Sequence, residues 1–220
     1  MQLDIGKPIL EKNDTLAHEN RQLLDEKGVF AVNMLASPGA GKTSLILATA
    51  EALGDACRIA VIEGDVASRI DAELIKAKGI PCVQINTGGL CHLESQMVRK
   101  ALDQLDLDAI DVLFIENVGN LVCTSDFYLG EHCSVVVLSV PEGHDKPVKY
   151  PGIFQSADAV VISKIDALPV FPFDERSFRK SMSDLNPLAP IFPVSAFKGS
   201  GITAWTAWLK SKIDTFGGLA

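Results

Sequence analysis

The chain has 220 residues, with 20 basic and 28 acidic side chains and a formal net charge of −8. Its 47% hydrophobic and 22% charged residues are typical of a globular protein and argue against disorder. The acidic balance disfavours nucleic-acid binding as the main function, and apolar runs such as Val135–Leu138 are too short to span a membrane.

The N-terminal residues and the cysteine count indicate the compartment. The segment MQLDIGKPIL lacks the succession of basic and apolar residues that marks a secretory signal, so we expect a cytoplasmic protein. In that reducing compartment the five cysteines are expected to be free thiols rather than a disulfide framework.

The first 28 residues are predicted to form a separate helical segment. Leu16, Leu23 and Leu24 recur at helical spacing, and Gly28 is suited to cap the C-terminus of a helix. The favoured interpretation is a helix packed on the rest of the protein, and a partner-binding arm is the alternative. Residues 29–220 are predicted to form one domain.

Short β-rich runs alternate with helical segments through that domain. The predicted strands are Phe30–Leu35, Arg58–Glu63, Cys82–Asn86, Val112–Glu116, Ser134–Val140, Ala159–Ile162 and Ile191–Val194. The predicted helices are Thr43–Leu53, Ala67–Lys78, Leu93–Leu105, Pro147–Gln155, Asp174–Leu185 and Ile202–Ile213. Several strands are nearly continuous in Val, Ile and Leu, which is typical of strands buried on both faces. The alternation predicts an α/β fold with a mostly parallel seven-stranded sheet flanked by helices.

The first predicted strand runs into a phosphate-binding loop. Residues Ala36–Thr43 match the P-loop pattern G-x-x-x-x-G-K-[ST], with alanine at the first glycine. Gly39 and Gly41 let backbone N–H groups approach phosphates. Lys42 would neutralise the β- and γ-phosphates, and Thr43 would offer its hydroxyl to Mg²⁺. The residues predicted to surround the phosphates are Pro38, Gly39, Ala40, Gly41, Lys42, Thr43 and Ser44.

A phosphate loop of this kind predicts acidic partners for Mg²⁺ where other strands end. Asp65 follows the second predicted strand, and Glu116 ends the fourth. The run Glu116-Asn117-Val118-Gly119 resembles the D-x-x-G switch of GTPases, in which the glycine N–H senses the γ-phosphate. The predicted hydrolytic residues are Lys42, Thr43, Asp65, Glu116 and Gly119. For a residue that orients the attacking water, the sequence offers only Asn117 and Asn120 as candidates.

Two loops after later strands favour guanine as the base. Ser163-Lys164-Ile165-Asp166 resembles the guanine-selecting N-K-x-D motif, in which the carboxylate accepts two hydrogen bonds that adenine cannot donate. Ser163 replaces the usual asparagine. Ser195 and Ala196 resemble the companion S-A-[KL] loop, whose backbone contacts the guanine oxygen. The base pocket is therefore predicted around Lys164, Asp166, Ser195 and Ala196.

Three residues of metal-binding type lie in loops at the same predicted edge. Cys91 and His92 follow the third strand, and Cys123 comes four residues after Gly119. Because ligands collect at the carboxyl ends of strands in an open α/β sheet, we expect all three near the nucleotide. Thiolates and imidazole suit Ni²⁺ or Zn²⁺, but a closed tetrahedral site needs four ligands. A two-fold dimer could complete or share the site.

The other thiols and histidines are predicted to be structural. Cys57 and Cys82 adjoin strands and are expected in the core. The role of Cys133, which precedes a strand, is not decided by the sequence. The histidines expected at the surface or in hydrogen bonds, rather than on a metal, are His18, His132 and His144.

Together these motifs resemble the HypB family, the hydrogenase nickel-incorporation GTPases. The resemblance runs from about Val29 to the end of the chain. Its most specific pieces are I-E-G-D at Ile62–Asp65, T-G-G-x-C-H-L at Thr87–Leu93 and F-I-E-N-V-G-N-L-V-C at Phe114–Cys123, and the stretch Asp145–Pro151 also resembles the family.

The resemblance implies a SIMIBI-type P-loop GTPase that is cytosolic and slow, and that dimerises with GTP. It implies delivery of Ni²⁺ to the [NiFe]-hydrogenase large subunit, together with a HypA-type nickel chaperone. The implied ligands are Cys91, His92 and Cys123 for nickel or zinc, and Thr43, Asp65 and Glu116 for the Mg²⁺ beside GTP or GDP. Since Cys123 follows the switch, nucleotide state would control dimerisation and metal release. Neither nucleic acid nor membrane insertion is expected.

The chain departs from the family pattern in places. It carries neither the C-x-x-C-G-C nickel motif nor the His-rich run that some members have near the N-terminus, which argues against nickel storage. Ser163, in place of asparagine, is expected to lower the affinity for guanine, and Thr124 stands where many members have proline.

Three other functions fit parts of the sequence. The thiols could be structural in a G-protein switch that has no metal role. A P-loop small-molecule kinase would need an acceptor pocket and a base, and the guanine-type loops argue against it. A urease-type nickel accessory GTPase would typically carry a Cys-Pro-His stretch, which the sequence lacks.

Overall fold

The computed structural model describes residues 6–66 and 69–217. Residues 1–5 of the predicted helical segment and Ala67, where a helix was expected to begin, lie outside the described residues. The strands are β1 (Phe30–Ala36), β2 (Ile59–Asp65), β3 (Cys82–Asn86), β4 (Val112–Glu116), β5 (Cys133–Ser139), β6 (Ala159–Ser163) and β7 (Ile191–Pro193). The α-helices are α1 (Gly6–Lys27), α2 (Lys42–Leu53), α3 (Ile70–Ala77), α4 (Ser95–Leu102), α5 (Lys146–Lys149), α6 (Pro151–Gln155), α7 (Glu175–Leu185) and α8 (Ile202–Gly217).

The seven strands form one parallel sheet in the order β3-β2-β4-β1-β5-β6-β7. β1 lies at its centre, where Met34 pairs with Glu116 of β4 on one side and with Val135 of β5 on the other. Because all strands run in the same direction, their carboxyl ends meet at one edge. That edge carries the phosphate loop, the switch run and the residues predicted to bind metal. The α/β class predicted from the sequence is confirmed.

Side chains of the central strands alternate between two hydrophobic layers. Val32 and Phe114 lie in the layer that α2 and α8 cover, and both are fully buried. Ala31 and Ile115 lie in the opposite layer, with α1 and α4. A third cluster joins β5 and β6 to α6 and α7. Strands covered on both faces explain the nearly continuous hydrophobic runs in the sequence.

Helix α1 packs beside α4 and ends in a Schellman motif. Gly28 has φ +65°, its N–H donates to the Asp25 carbonyl at 3.1 Å, and the Val29 N–H donates to the Leu24 carbonyl at 2.9 Å. Leu24 is fully buried in the layer that α1 shares with α4. The segment is thus a packed helix, as the favoured interpretation had it, and Gly28 caps it as predicted.

The main difference from the predicted elements lies at residues 147–155. The structure has two short helices there, α5 and α6, instead of one. Tyr150 separates them with φ −130° and ψ 57°. The cause is Pro151, since a proline ring disfavours helical angles in the preceding residue. Within the described parts of the chain, no helix has the length and apolarity to cross a membrane.

Candidate functional site

The phosphate loop, residues 37–41, connects β1 to the N-terminus of α2. Gly39 and Gly41 have φ of +71° and +97°, left-handed conformations that favour glycine. Ala36 is the last residue of β1, so strand geometry accommodates alanine at the first position of the P-loop pattern. Lys42 begins α2 and is buried. The loop therefore presents backbone N–H groups, a helix N-terminus and a lysine at one place, as a phosphate site requires.

The loop is also held by the end of β6, which lies two strands from β1 in the sheet. The Ser163 hydroxyl donates to the Ala40 carbonyl at 2.5 Å, and the Lys164 ammonium donates to the Gly39 carbonyl at 2.6 Å. Lys164 is the one non-glycine residue with positive φ (+56°) in the described chain. Ser163, which replaces the usual asparagine of the guanine motif, therefore supports the phosphate loop directly.

Thr43 and Glu116 meet at the mouth of the phosphate loop. The Thr43 hydroxyl donates to Oε1 of Glu116 at 2.8 Å. Glu116 is buried, and burial raises the pKa of its carboxyl to about 7, although Lys42 and the Thr43 hydroxyl oppose the shift. Its Oε2 is buried without a hydrogen-bond partner. A hard cation beside Thr43 would satisfy that oxygen, so the residues present fit Mg²⁺.

Two carboxylates that the sequence analysis missed lie beside this pair. Glu63 of β2 is in register with Glu116 of β4 and is only 2% exposed. Burial raises its pKa to about 8, with further contributions from Glu116 and Asp65. Carboxylate oxygens of Glu63, Asp65 and Asp71 lie within 4.8 Å of one another. The predicted Mg²⁺ partner Asp65 thus belongs to a larger acidic group.

The spacing of Glu63, Gly64 and Asp65 in the sequence was a signal that Glu63 belongs to the acidic group. Residues two apart in a strand share a face, so Glu63 and Asp65 point the same way. Gly64 points to the opposite face, where a Cβ would be 2.8 Å from the Leu93 side chain. Asp71 gave no such signal, because the start and orientation of α3 could not be read from the sequence.

We call residues Glu116–Cys123 the switch segment. It begins at Glu116, and its glycine lies against the phosphate loop: a Cβ on Gly119 would be 2.7 Å from the Cα and N of Pro38. The two asparagines considered for orienting water have other contacts. Asn117 is fully buried, and Asn120 accepts hydrogen bonds from the N–H groups of Val122 and Cys123.

Three of the four predicted base-pocket residues, Lys164, Asp166 and Ala196, line one cavity of about 240 Å³ beside α2, whereas Ser195 is not part of its lining. Its lining is Gly41, Ser44, Leu45, Ser163, Lys164, Asp166, Val194, Ala196 and Phe197. Asp166 accepts a hydrogen bond from the Ser195 hydroxyl at 2.5 Å, and this bond lowers the pKa of the carboxyl. The Lys198 N–H donates to the same hydroxyl at 3.1 Å. The two loops predicted to select guanine are therefore bonded to each other, and they hold a carboxylate at the pocket wall.

Cys91, His92 and Cys123, the thiol–imidazole group, come from two loops that touch. The Cys91 and Cys123 thiols lie near each other, and the proximity of Cys91 raises the pKa of the Cys123 thiol. The Cys91 sulfur lies 3.7 Å from Nδ1 of His92, whose ring stacks on Phe127 at a centroid distance of 3.8 Å. Among the described residues only the acidic group brings three ligand atoms within 4.8 Å, so the thiol–imidazole group is more open.

A buried asparagine connects the switch segment to the loop of Cys91 and His92. Oδ1 of Asn117 accepts hydrogen bonds from the N–H groups of Val118 at 2.9 Å and Leu93 at 3.2 Å. Its Nδ2 donates to Asn33 of β1 at 3.3 Å. Leu93, which follows His92, is therefore hydrogen-bonded to the side chain of Asn117, which follows Glu116.

The remaining thiols lie in the hydrophobic core or pack against it. Burial raises the pKa of Cys57 and of Cys82 to about 11. Cys133, which the sequence left open, begins β5 in the core, and burial raises the pKa of its thiol strongly. His132 is also structural, since its Nδ1 accepts the Ala31 N–H at 2.9 Å and its Nε2 lies 2.8 Å from Asp25.

Comparison with known proteins gives consistent matches. Residues 31–193 match the family model described as CobW/HypB/UreG, nucleotide-binding domain. A hydrogenase maturation factor HypB of Azotobacter vinelandii is 46% identical over 213 residues, which cover 97% of this chain and 70% of that protein. The crystal structure of HypB from Helicobacter pylori in complex with nickel superposes with TM-score 0.89 at 40% identity, covering 93% and 96% of the chains. For HypB from Archaeoglobus fulgidus the TM-score is 0.86 at 38% identity, covering 92% and 99%.

Proposed function

The chain belongs to the CobW/HypB/UreG family and, within it, to the HypB hydrogenase maturation factors, and we propose that it is a GTP-hydrolysing metallochaperone. It binds nickel, with zinc as the alternative cargo, and assists nickel insertion into the [NiFe]-hydrogenase large subunit. It acts in the cytoplasm with a HypA-type nickel chaperone and the large-subunit precursor, and GTP favours its homodimer. Residues 29–220 form its GTPase domain, with residues 1–28 as an added helical segment.

The observation that carries this proposal is the path of the switch segment. At one end Glu116 accepts the Thr43 hydroxyl, and Gly119 touches Pro38 of the phosphate loop. At the other end Cys123 lies near Cys91, whose thiol raises the pKa of the Cys123 thiol. A change in the γ-phosphate can therefore reach a candidate nickel ligand within four residues of Gly119.

The hydrolytic role follows from groups gathered at the phosphate loop. Lys42 and the loop N–H groups hold the phosphates, while Thr43, Asp65 and Glu116 would hold Mg²⁺. Bound Mg²⁺ supplies charge neutralisation on the β- and γ-phosphate oxygens. Water attacks the γ-phosphorus, and GDP and phosphate leave. Since Asn117 and Asn120 are engaged elsewhere, the chain positions this water weakly, in keeping with a slow intrinsic rate.

Preference for GTP is proposed to come from Asp166. Its carboxylate lines the cavity beside Gly41, and its low pKa keeps it ionised to accept hydrogen bonds from guanine. Lys164 is fixed to the Gly39 carbonyl, which lays its aliphatic stem along the cavity where it can contact the plane of the base.

The thiol–imidazole group is proposed to hold the nickel. One chain offers three ligands, so a two-fold dimer would supply the rest of the coordination. GTP would favour the dimer that holds the metal in one arrangement, and hydrolysis would change that arrangement and allow transfer. A tenfold difference in nickel affinity between nucleotide states corresponds to about 1.4 kcal/mol.

The test is the Ni²⁺ affinity measured with GDP and with a non-hydrolysable GTP analogue, together with hydrolysis of GTP. We expect a difference of at least tenfold between the two nucleotide states. We also expect that Cys91→Ala and Cys123→Ala abolish tight binding, whereas the matched thiol control Cys82→Ala leaves it unchanged.

Equal nickel affinities in both states would contradict coupling, and unchanged binding in Cys91→Ala and Cys123→Ala would contradict the ligand assignment. Together those results would favour a G-protein switch with structural thiols. Hydrolysis of ATP in preference to GTP would contradict the proposed substrate.

A further inference from the structure

Helix α1 buries two asparagines on the face that it turns toward the site. Asn13 is 6% exposed and Asn20 is fully buried, and their seven-residue spacing places them on one side of the helix. Asparagine is uncommon inside a packed helical face, because its amide must find partners there. The helix precedes residues 31–193, which the family model matches, so the nucleotide-binding motifs do not account for these side chains.

Asn13 bonds to two separate segments of the chain. Its Oδ1 accepts the N–H of Ser95 at 2.8 Å, and its carbonyl accepts the Ser95 hydroxyl at 2.7 Å. Its Nδ2 donates to the carbonyl of Tyr128 at 2.7 Å. One side chain therefore joins the start of α4 to the chain that follows the switch segment.

Asn20 repeats the connection two helical turns later. Its Nδ2 donates to the Ser95 carbonyl at 2.9 Å and to the Leu129 carbonyl at 3.2 Å. Its Oδ1 is buried without a partner, so the side chain keeps these two bonds at the cost of an unsatisfied oxygen. Arg21 adds a bond to the Glu131 carbonyl at 2.9 Å.

The two bridged segments are those that carry the thiol–imidazole group. Ser95 comes three residues after His92, and Tyr128 comes five residues after Cys123. Phe127, on which the His92 ring stacks, immediately precedes Tyr128. Because short stretches of chain separate the bridges from the ligands, α1 limits how far the two loops can move apart.

We propose that α1 acts as a strap that positions the thiol–imidazole group, with Asn13 and Asn20 as positioning residues that set the spacing between Cys91/His92 and Cys123. This inference rests on the proposed function, since it assigns a means of control to the same nickel site. The asparagines touch no ligand atom and act through Ser95, Tyr128 and Leu129.

The experiment measures Ni²⁺ affinity and the Co²⁺–thiolate absorption bands of two variants. Asn13→Asp is isosteric and keeps the acceptor for the Ser95 N–H, but it loses the donor to Tyr128. Asn20→Leu removes both donated bonds together with the unpartnered oxygen. The matched controls are Asn186→Asp and Asn186→Leu, because Asn186 likewise donates to backbone carbonyls, those of Phe154, Gln155 and Ala157, but lies away from the site.

We expect Asn13→Asp and Asn20→Leu each to weaken Ni²⁺ binding at least fivefold and to change the Co²⁺ spectrum, while the Asn186 variants do neither. The added charge in Asn13→Asp would by itself favour a cation, so weaker binding there would come from the lost bridge. In the unmodified protein, Ni²⁺ should slow hydrogen exchange in the α1 peptide that spans Asn13 and Asn20. Because this second measurement uses the unmodified protein, it tests the role of α1 even if a variant does not fold.

The proposed role of α1 would be overturned if both folded variants had wild-type Ni²⁺ affinity and Co²⁺ spectra. It would also be overturned if hydrogen exchange in α1 did not change on Ni²⁺ binding. Either result would leave the assignment of the nickel ligands unaffected. Absence of cysteine-dependent Ni²⁺ binding in the unmodified protein would instead overturn the proposed function, and the strap with it.

Discussion

Gly119 lies directly against the backbone of Pro38, and a Cβ placed on Gly119 would be 2.7 Å from both the Cα and the N of Pro38. The φ of Gly119 is not in the left-handed region, so the glycine is required for space rather than for conformation. The neighbouring atoms are backbone, which cannot turn away as a side chain can. The switch segment can therefore contact the phosphate loop only because residue 119 is glycine and has no Cβ.

Gly119→Ala is expected to push the switch segment off the phosphate loop. Overpacking of this kind costs about 1–3 kcal/mol. We expect the rate of GTP hydrolysis to fall at least tenfold, with a modest loss of thermal stability. The matched control is Gly152→Ala in α6, where a Cβ would meet nothing within 4 Å. A Gly119→Ala protein that hydrolyses GTP at the wild-type rate would contradict the contact's role.

The stability of the Mg²⁺-free protein should fall as pH rises from about 5 to 8. The pKa of Glu63 is raised to about 8 and that of Glu116 to about 7, whereas an unfolded glutamate titrates near 4.3. In this window the native state binds more protons than the unfolded state, so unfolding becomes easier as pH rises. Each group contributes a slope of up to about 1.4 kcal/mol per pH unit.

Urea unfolding of wild type and Glu63→Gln at several pH values tests this slope. The variant should lose stability less steeply between pH 5 and 8, since its amide does not titrate. The exposed residue Glu73 provides the control Glu73→Gln, which should follow wild type. Other titrating groups, such as His132, are common to all three proteins and cancel. Parallel curves for Glu63→Gln and wild type would show that Glu63 is ionised when folded.

Asp166→Asn should change the nucleotide that the protein prefers. The carboxylate lines the base cavity and is ionised, so it can accept hydrogen bonds from guanine N1–H and N2–H₂. An amide in its place offers one acceptor and a donor suited to the C2 carbonyl of xanthine. We expect GTP affinity to fall at least tenfold and XTP affinity to rise, measured by competition. Asp184→Asn on exposed α7 is the control, and unchanged preference for GTP in Asp166→Asn would refute the pocket assignment.

The sequence was enough to predict the sheet and the place of the phosphate loop between β1 and α2. Strands buried on both faces need continuous apolar runs, and phosphate loops need glycine, lysine and threonine at fixed spacing, so local pattern and structure coincide. The helix end at Gly28 was readable for the same reason, because a Schellman cap is built from neighbouring residues. The predicted helix Pro147–Gln155 was wrong, although Pro151 held the signal for the break.

What the sequence could not give were contacts between distant segments. Asn13 and Asn20 bond to residues 75 or more positions away, which no local pattern encodes. Asp71 joins Glu63 and Asp65 only because of where α3 begins. Asn117 was a candidate for orienting water because it follows Glu116 in the sequence. In the structure its side chain is buried and bonded to Asn33 and Leu93, contacts that the sequence does not show.

Asn117 provides the last prediction, since its side chain bonds both within the switch segment and to the loop of Cys91 and His92. Removing it in Asn117→Ala frees the N–H groups of Leu93 and Val118, and the unpaired groups should cost about 1–3 kcal/mol of stability. With the link cut, nucleotide state should no longer reach the Cys91 loop through this route.

We therefore expect Asn117→Ala to bind Ni²⁺ through the same thiols but with affinities for the GDP and GTP-analogue states that differ by less than threefold. Isothermal titration in each nucleotide state measures the ratio directly. Asn186→Ala removes an amide of similar bonding away from the site and should keep the wild-type ratio. If Asn117→Ala kept the full tenfold difference while folded, the nucleotide state would have to reach the metal ligands by another route, such as Cys123 itself. The Asn117 side chain would then stabilise the loop of Cys91 and His92 without transmitting the nucleotide state to it.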